Sequence, residues 1–394
     1  MDNPAFAHEP TRRLLSLDVV RGITIAFMIM VNNNGGAGSW HFMNHTEWNG
    51  LTPTDLVFPT FVFVVGVSVV FATEARLARG AGRGQLARHT VQRAVVLVLF
   101  GIVVNNFPFF HLEHMRFYGV LQRIAICYLA VALFYMWDKR AWTKVAALAG
   151  VLMGYWVLVR WVPIPGVGMP GRDVPFMDMN QNLVSWIDRH LFPYHLYLYA
   201  PSHNGRDPEG LLSSLPAIGT ALMGILTGMW LRARRTVSAK ALGMAAAAGA
   251  SLILGYLWSL EFPVNKNLWT SSYVLVAGGY SLALMALVYW AVEQRGWRKG
   301  WTWVWVVFGS NAIAVYMLSE LAASALWTVR RTAAGGIRLS SNDHIPAWEP
   351  YFFTHSFARI GNPHWAAFAY SVTFTALCFM PIWLLYRKKI FLKV

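Results

Sequence analysis

The chain has 394 residues, of which 56% are hydrophobic and only 13% are charged. Because a soluble domain carries about a quarter charged residues, this composition excludes an ordinary water-soluble protein and indicates one that crosses a membrane several times. The formal net charge of +15 is spread over separate short segments, so it does not favour nucleic-acid binding. The two cysteines fall inside apolar runs, which predicts neither a disulfide framework nor a cysteine-type zinc site.

Apolar runs of roughly 20 residues recur along the chain, and each is long enough to cross a hydrocarbon layer of about 30 Å. Helices are expected, because unpaired backbone amides are costly in lipid. The sequence therefore predicts an all-α, polytopic integral membrane protein with about ten transmembrane helices, and residues 1–394 form a single transmembrane domain. The predicted spans cover residues 14–33, 55–76, 90–110, 117–137, 143–162, 211–231, 241–261, 270–292, 301–323 and 364–386.

The basic residues predict how these spans are oriented. With the N-terminus placed inside and the spans alternating, the inner segments are short and basic, as Arg76, Arg79, Arg83 and Arg88 illustrate. The outer segments are about twice as long in total and hold about half as many basic residues. This asymmetry follows the positive-inside rule and predicts that both termini lie in the cytoplasm.

Charged residues lie within or at the edges of several predicted spans, among them Arg21, Arg93 and Arg123. A charge deep within a span is costly unless it is paired or hydrated, so each such residue is a candidate functional group. Asp18 and Arg21 can pair on one helix face. They form either a neutralised structural pair or part of a tunnel wall, where the planar guanidinium would bind an anionic cofactor. Gln122 and Arg123 supply a second polar point, toward the outer end of the fourth span.

The segment between the first two spans combines several chemically useful side chains. Its second half, residues 41–55, contains no lysine or arginine but brings together His45, the carboxylates Glu47 and Asp55, and the aromatic Trp48. Histidine can accept and return a proton near neutral pH, so His45 is the leading candidate for a general base. Structural roles stay open for its neighbours: Asp55 can cap a helix, and Trp48 can anchor the chain at the membrane surface.

Two further outer segments carry candidate groups. Asn265, Lys266 and Trp269 can bind sugar hydroxyls, or their segment can simply connect two spans. His111 and His114 have the spacing of two ligands on one helix face, but no further ligand is evident, so no metal site is predicted.

Seven motifs, in order along the chain, carry a resemblance to a known family. They occupy residues 13–22, 31–36, 45–59, 119–125, 207–212, 263–272 and 309–313. Together they resemble the heparan-α-glucosaminide N-acetyltransferase family, transmembrane acyltransferases with bacterial members linked to N-acetylglucosamine use. The resemblance implies transfer of an acetyl group from cytosolic acetyl-CoA to an amino sugar on the periplasmic side of a bacterial inner membrane.

The resemblance also implies roles for individual residues. The catalytic positions of the family fall on His45, Asn32 and Asp55, and its CoA contacts fall on Arg21, Gln122 and Arg123. The candidates for contact with the sugar are Glu47, Trp48, Asn265, Lys266 and Trp269. The expected partners are a small amino sugar and the lipid bilayer, with a homodimer left open.

Several mechanisms and functions remain open at this point. His45 can act as general base, with Asp55 or Glu47 orienting its ring and Asn32 stabilising the oxyanion. Alternatively, His45 can itself carry the acetyl group in a covalent intermediate. A transporter of amino sugars or N-acetylglucosamine would use the same polar face without acyl chemistry, and an O-acyltransferase would act on hydroxyl acceptors.

Overall fold

The computed structural model describes residues 14–193, 196–197, 205–331, 337–339 and 352–392; Arg13 of the first motif lies outside them. The α-helices in this part of the chain are α1 (Leu15–Asn32), α2 (Val57–Leu77), α3 (Arg83–Asn106), α4 (Val120–Trp137), α5 (Ala141–Trp161), α6 (Leu183–Leu191), α7 (Ser214–Arg232), α8 (Val237–Trp258), α9 (Ser271–Tyr289), α10 (Thr302–Ser310), α11 (Ala312–Thr328) and α12 (Pro363–Arg387).

Most of these helices can cross a membrane. Nine are long and apolar enough to do so, and α10 with α11 forms a further, bent pair that can make a tenth span. The prediction of a polytopic helical membrane protein with about ten spans is therefore confirmed. The structure adds one short β-ribbon, in which β1 (Val329–Arg331) pairs antiparallel with β2 (Ile337–Leu339).

The ninth predicted span, residues 301–323, differs from the expectation because it is broken. The axes of α10 and α11 are bent by 79°, and Asn311 at the break has a non-helical backbone conformation. Its side-chain nitrogen donates to the carbonyl of Ile390 (3.1 Å), and its side-chain oxygen accepts from the backbone N–H of Leu392 (2.8 Å). The chain after α12 thus holds the break in place, and hydropathy alone does not reveal that contact.

The spanning helices divide into a central set and a peripheral set, according to how much of each helix is buried within the protein. In α1, α2, α4, α7 and α9, 61–72% of the residues in the apolar window are buried within the protein; in α3, α5, α8 and α12, the share is 22–28%. The peripheral helices therefore present most of their apolar side chains to lipid. The five central helices form the scaffold on which the candidate site is built.

Glycines allow α2 and α7 to pack closely within this scaffold. A Cβ atom added at Gly66 would lie 2.1 Å from the carbonyl oxygen of Ala221, and one added at Gly224 would lie 2.0 Å from that of Phe63. Small residues at such crossings let helix backbones approach in a membrane. Because α2 begins directly after Asp55, this rigid contact fixes the position of that carboxylate.

The connections between spans differ on the two membrane faces. The connecting segments 33–56, 107–119, 162–213 and 259–270 are long and polar in sequence. Because successive spans alternate in direction, the described residues of these segments meet at one face, here called the site face. The segments 78–82, 138–140, 233–236 and 295–301 are short and meet at the other, here called the basic face. Asp55 and Lys266 approach each other only through this alternation.

Candidate functional site

The centre of the site is a hydrogen-bonded pair formed by His45 and Asp55. The two side chains meet with His45 Nδ1 2.7 Å from Asp55 Oδ1. Asp55 is fully buried, whereas the His45 side chain is 49% exposed. A carboxylate accepts hydrogen bonds, so the shared proton belongs on Nδ1, and Nε2 is the acceptor nitrogen of the neutral ring.

Asp55 both caps a helical turn and contacts the candidate histidine. It lies at the third position of the short helical turn Pro53–Leu56 and forms a capping box with Thr52. Its second oxygen, Oδ2, accepts hydrogen bonds from the N–H and hydroxyl groups of Thr46 and Thr52 at 2.8–3.1 Å. The hydroxyl of Tyr273 also donates to its backbone carbonyl, at 2.5 Å. The carboxylate is therefore fixed from several sides.

Lys266 lies against the same histidine. Its Nζ atom is 2.9 Å from Nδ1 and 3.2 Å from Nε2 of His45, and 3.7 Å from Asp55 Oδ1. Burial lowers the pKa of Lys266 below its usual value, while the charge of Asp55 opposes that shift. The sequence suggested sugar binding for this lysine, and the structure places it beside the catalytic candidate itself. His45, Asp55 and Lys266 are called the histidine cluster below.

Asn265 fastens the lysine segment to the histidine segment. Its backbone forms a bridge with Asn49, and its side-chain nitrogen donates to the Asn49 side chain at 3.1 Å. The N–H of Gly50 donates to the carbonyl of Val264 at 2.9 Å. Asn265 is fully buried, so in this structure it supports the site from within.

Trp269 connects the histidine cluster to a second polar region. It is only 1% exposed, which places its ring below the surface. Its ring nitrogen donates to the hydroxyl of Thr220 (3.2 Å), and the guanidinium of Arg123 lies 4.9 Å from the ring centre. Residues 265–269 therefore contact His45 at one end and Arg123 at the other.

Gln122 and Arg123 are buried with unused hydrogen-bonding groups. Nη2 of Arg123 donates to the carbonyl of Gly210 and to the hydroxyl of Ser213, but its Nε and Nη1 atoms have no hydrogen-bond partner in the described structure. Neither polar atom of the Gln122 side chain has one. Unsatisfied buried polar groups are costly, so these two residues fit a site that a polar ligand completes.

An acidic group near Arg123 was missed by the sequence analysis. Arg116 binds Asp207 and Glu209 through charged hydrogen bonds of 2.6–2.8 Å. Burial raises the pKa of Asp188 to about 7, the N–H of Leu211 counteracts this, and the Asp207 carboxylate adds to it. The motif at residues 207–212 was one available signal, since it places two carboxylates together.

The other predicted residues lie at separate places. The predicted pair of Asp18 and Arg21 is confirmed at 3.2 Å, and Arg21 also donates to the hydroxyl of Ser68 at 2.7 Å. Asn32 is exposed at the end of α1 and donates to Glu320 Oε1 at 2.9 Å, with no hydrogen bond to His45 in the described structure. Glu320 was also missed, although a carboxylate inside an apolar run was a visible signal.

Glu47 and Trp48 border the cluster at the surface. Glu47 is exposed. The ring nitrogen of Trp48 donates to the carbonyl of Met177 (2.8 Å), and the guanidinium of Arg206 lies 5.3 Å from the ring centre. Trp48 is thus held by other site-face segments. Among the described residues, no group of three or more His, Cys, Asp or Glu side chains is arranged to hold a metal ion.

Comparison with known proteins agrees with the motifs. A family model described as "Heparan-alpha-glucosaminide N-acetyltransferase, catalytic" matches residues 13–262. The human heparan-alpha-glucosaminide N-acetyltransferase is 28% identical over 438 residues, covering 97% of this chain and 60% of the human protein. The mouse protein of the same name is 28% identical over 364 residues, covering 81% of this chain and 55% of its own length. The chain thus spans less than two thirds of these relatives, and it belongs to the heparan-alpha-glucosaminide N-acetyltransferase family.

Proposed function

We propose that this protein transfers the acetyl group of acetyl-CoA to the amine of a glucosamine-type sugar. The observation that carries the proposal is the His45–Asp55 pair, in which a buried carboxylate lies 2.7 Å from Nδ1 of a half-exposed histidine. A positioned imidazole whose second nitrogen can accept a proton is the arrangement that general-base catalysis requires.

The reaction follows from this geometry. The sugar amine attacks the carbonyl carbon of the thioester while Nε2 of His45 accepts the amine proton. The carbon–sulfur bond then breaks, and the imidazolium returns the proton to the departing thiolate, so the histidine is restored. Asp55 stabilises the charged ring between these steps. An acetyl group carried on Nε2 would need the same nitrogen, and it remains the alternative route.

Lys266 is our candidate for stabilising the oxyanion. Its Nζ atom lies 3.2 Å from Nε2, so a thioester carbonyl that reacts beside Nε2 would also lie near this positive charge. Electrostatic stabilisation of a developing oxyanion is often the largest single contribution to catalysis. Asn32 donates to Glu320, and its proposed part in the reaction is to hold that carboxylate at the end of α1.

Gln122 and Arg123 are the proposed contacts for acetyl-CoA. The free amide of Gln122 matches the amide groups of a pantetheine arm, and the free nitrogens of Arg123 can bind an oxygen or phosphate of the donor. Arg21 lies in the first half of α1, about 16 Å from its end at 1.5 Å per residue. An extended donor would therefore reach from Arg21 near the basic face to His45 at the site face.

The same proposal includes the setting of the protein. Both termini and the basic face lie in the cytoplasm of a bacterial cell, and the amino sugar binds at the periplasmic face of the inner membrane. Glu47 and Trp48 are the proposed contacts for the sugar, because both lie within three residues of His45 in the chain and neither is buried. The bilayer is the other partner, and a homodimer stays open.

The test is acetyl transfer from labelled acetyl-CoA to glucosamine by the purified full chain. Wild type is compared with His45→Ala and with His41→Ala, which removes an exposed histidine from the same segment. We expect labelled N-acetylglucosamine from wild type and from His41→Ala, and none from His45→Ala. Near-normal turnover by His45→Ala would contradict the assignment of His45 as the general base.

Two other results would replace the proposed function. If wild type transfers no acetyl group but glucosamine or N-acetylglucosamine crosses proteoliposomes that contain it, the protein is a transporter. If label appears on hydroxyl acceptors and not on amines, the protein is an O-acyltransferase.

A further inference from the structure

A basic cavity lies on the face opposite His45, where α2 ends and α3 begins. Its volume is about 470 Å³. The polar side chains that line it are those of Arg76, Arg79, Gln85, Arg88, His89 and Gln92. No carboxylate lines this cavity, and no described carboxylate forms an ion pair with any of its three arginines. The positive charge is therefore not balanced by the described part of the protein.

Several other basic residues on the same face have an acidic or an aromatic partner. Lys139 is bonded to Glu74, and Arg298 pairs with Glu293 at 2.9 Å. Arg235 and Arg387 lie 4.5 and 5.0 Å from the centres of tryptophan rings. The positive-inside rule alone would explain basic residues in every short connection. It does not explain why one connection leaves three arginines around an open cavity.

The groups around the cavity do not offset the charge of its arginines, and the N-terminus of α3 adds to it. Arg76 is half-buried and lies 2.6 Å from Nε2 of His89, a neutral acceptor that cannot offset the guanidinium charge. The N-terminus of α3 has no side-chain cap, so backbone N–H groups of its first turn add to the positive end of the helix dipole. An anion that enters the cavity would gain both interactions.

An apolar stripe continues from the cavity along the same face of α3. Gln85, Arg88 and Gln92 are followed, at spacings of three or four residues, by Val95 and Leu99. The last two are 52% and 54% exposed. The polar part is at the end of the helix, and the apolar part extends toward the membrane centre. This order matches a molecule with an anionic head and a hydrocarbon chain.

We propose that this cavity binds the headgroup of an anionic phospholipid. Arg76, Arg79 and Arg88 hold the phosphate, the amide of Gln92 donates to a headgroup oxygen, and one acyl chain lies along Val95 and Leu99. Basic pockets at the membrane surface attract acidic lipids in this way. The site is separate from the histidine cluster, so the inference does not depend on the acetyl-transfer proposal.

The test measures lipid retention by the full chain. Protein in mild detergent is mixed with equal amounts of phosphatidylglycerol and phosphatidylcholine of identical acyl chains, and the bound lipid is counted by native mass spectrometry. We expect about a ten-fold preference for phosphatidylglycerol. The triple variant Arg76→Gln/Arg79→Gln/Arg88→Gln should lose this preference. The control Arg234→Gln/Arg235→Gln/Lys240→Gln removes the same charge from another connection and should keep it.

The outcomes separate the possible explanations. Equal loss in both triple variants would overturn a defined site, because it would mean that total charge alone attracts the lipid. Displacement of phosphatidylglycerol by millimolar sn-glycerol 3-phosphate would overturn the lipid assignment in favour of a soluble phosphate. Arg88→Gln alone removes only an exposed side chain, so it tests the site without risk to folding. It should reduce the preference by about three-fold, and an unchanged preference would contradict the proposal.

Discussion

The histidine cluster and the Gln122–Arg123 region lie on either side of residues 265–269 but differ in how their polar atoms are satisfied. In the first, Asp55 accepts hydrogen bonds at both carboxylate oxygens, and its histidine and lysine partners are within 3.7 Å. In the second, Gln122 has no hydrogen-bond partner for either side-chain atom. The difference suggests a division of work: the protein itself orders the groups that react, and the donor completes the groups that bind it.

The largest effect is expected when the ordered histidine cluster is disturbed. Asp55→Asn keeps the shape of the side chain but removes the charge that fixes the His45 tautomer. We expect kcat for acetyl transfer to fall by about 10³–10⁴-fold, as is typical when the acidic member of such a group is lost. Initial rates at saturating substrates give the value.

The control for Asp55→Asn is Thr52→Val, which disturbs the same capping box without removing the carboxylate. It should lower the midpoint of thermal unfolding but leave most of kcat intact. A loss of less than ten-fold for Asp55→Asn would show that the pair is structural.

A smaller effect is expected at Lys266. Lys266→Gln removes the positive charge beside Nε2 of His45, and kcat should fall by about 10²-fold, the usual effect of losing one oxyanion donor. Lys266→Arg should restore part of the activity. Because burial lowers the pKa of Lys266, its charge is lost at a lower pH than for a free lysine, and wild-type activity should decline on the alkaline side.

The pH profile of Lys266→Arg checks this interpretation. Arginine stays charged throughout the accessible range, so the alkaline decline should move to higher pH in this variant. An alkaline limb that is identical in wild type and Lys266→Arg would mean that another group controls it.

The smallest effect is expected at Gln122, whose buried side chain lacks hydrogen-bond partners. Gln122→Leu removes an amide that lacks partners, so the midpoint of thermal unfolding should be unchanged or slightly higher. The same change should raise KM for acetyl-CoA by about ten-fold, with kcat much less affected. Steady-state kinetics and thermal unfolding of one preparation provide both readouts.

For Gln122→Leu, the matched comparison is Asn265→Leu, which removes a buried amide whose partners are all present. That variant should be clearly destabilised. If Gln122→Leu is destabilised to the same extent, then the Gln122 amide is satisfied within the protein, and its assignment to the donor fails.

Hydropathy was sufficient for most of the fold, because a span needs only a long apolar run and the lipid supplies the reason for a helix. It could not predict the break at Asn311, since the apolar pattern continues through it and the stabilising contacts come from Ile390 and Leu392. The pairing of His45 with Asp55 is local enough to follow from one motif.

The position of Lys266 was beyond the reach of any local pattern. It is separated from His45 by 221 residues, and only the alternation of the spans brings the two together. The sequence also does not reveal that Asn265 and Trp269 are buried, because their segment is polar overall. Burial depends on which other parts of the chain pack against a segment. Asn49 packs against Asn265, and Arg123 in the first turn of α4 packs against Trp269.

The bridge between Asn49 and Asn265 also has a consequence for biosynthesis. The two residues are 216 positions apart, so the histidine segment leaves the ribosome long before its partner. During that interval His45 and Asp55 are already translated, but Lys266 and the bridging residue Asn265 are still missing. The proposed site is therefore complete only after residues 265 and 266 have been synthesised and the spans on either side of them have been inserted.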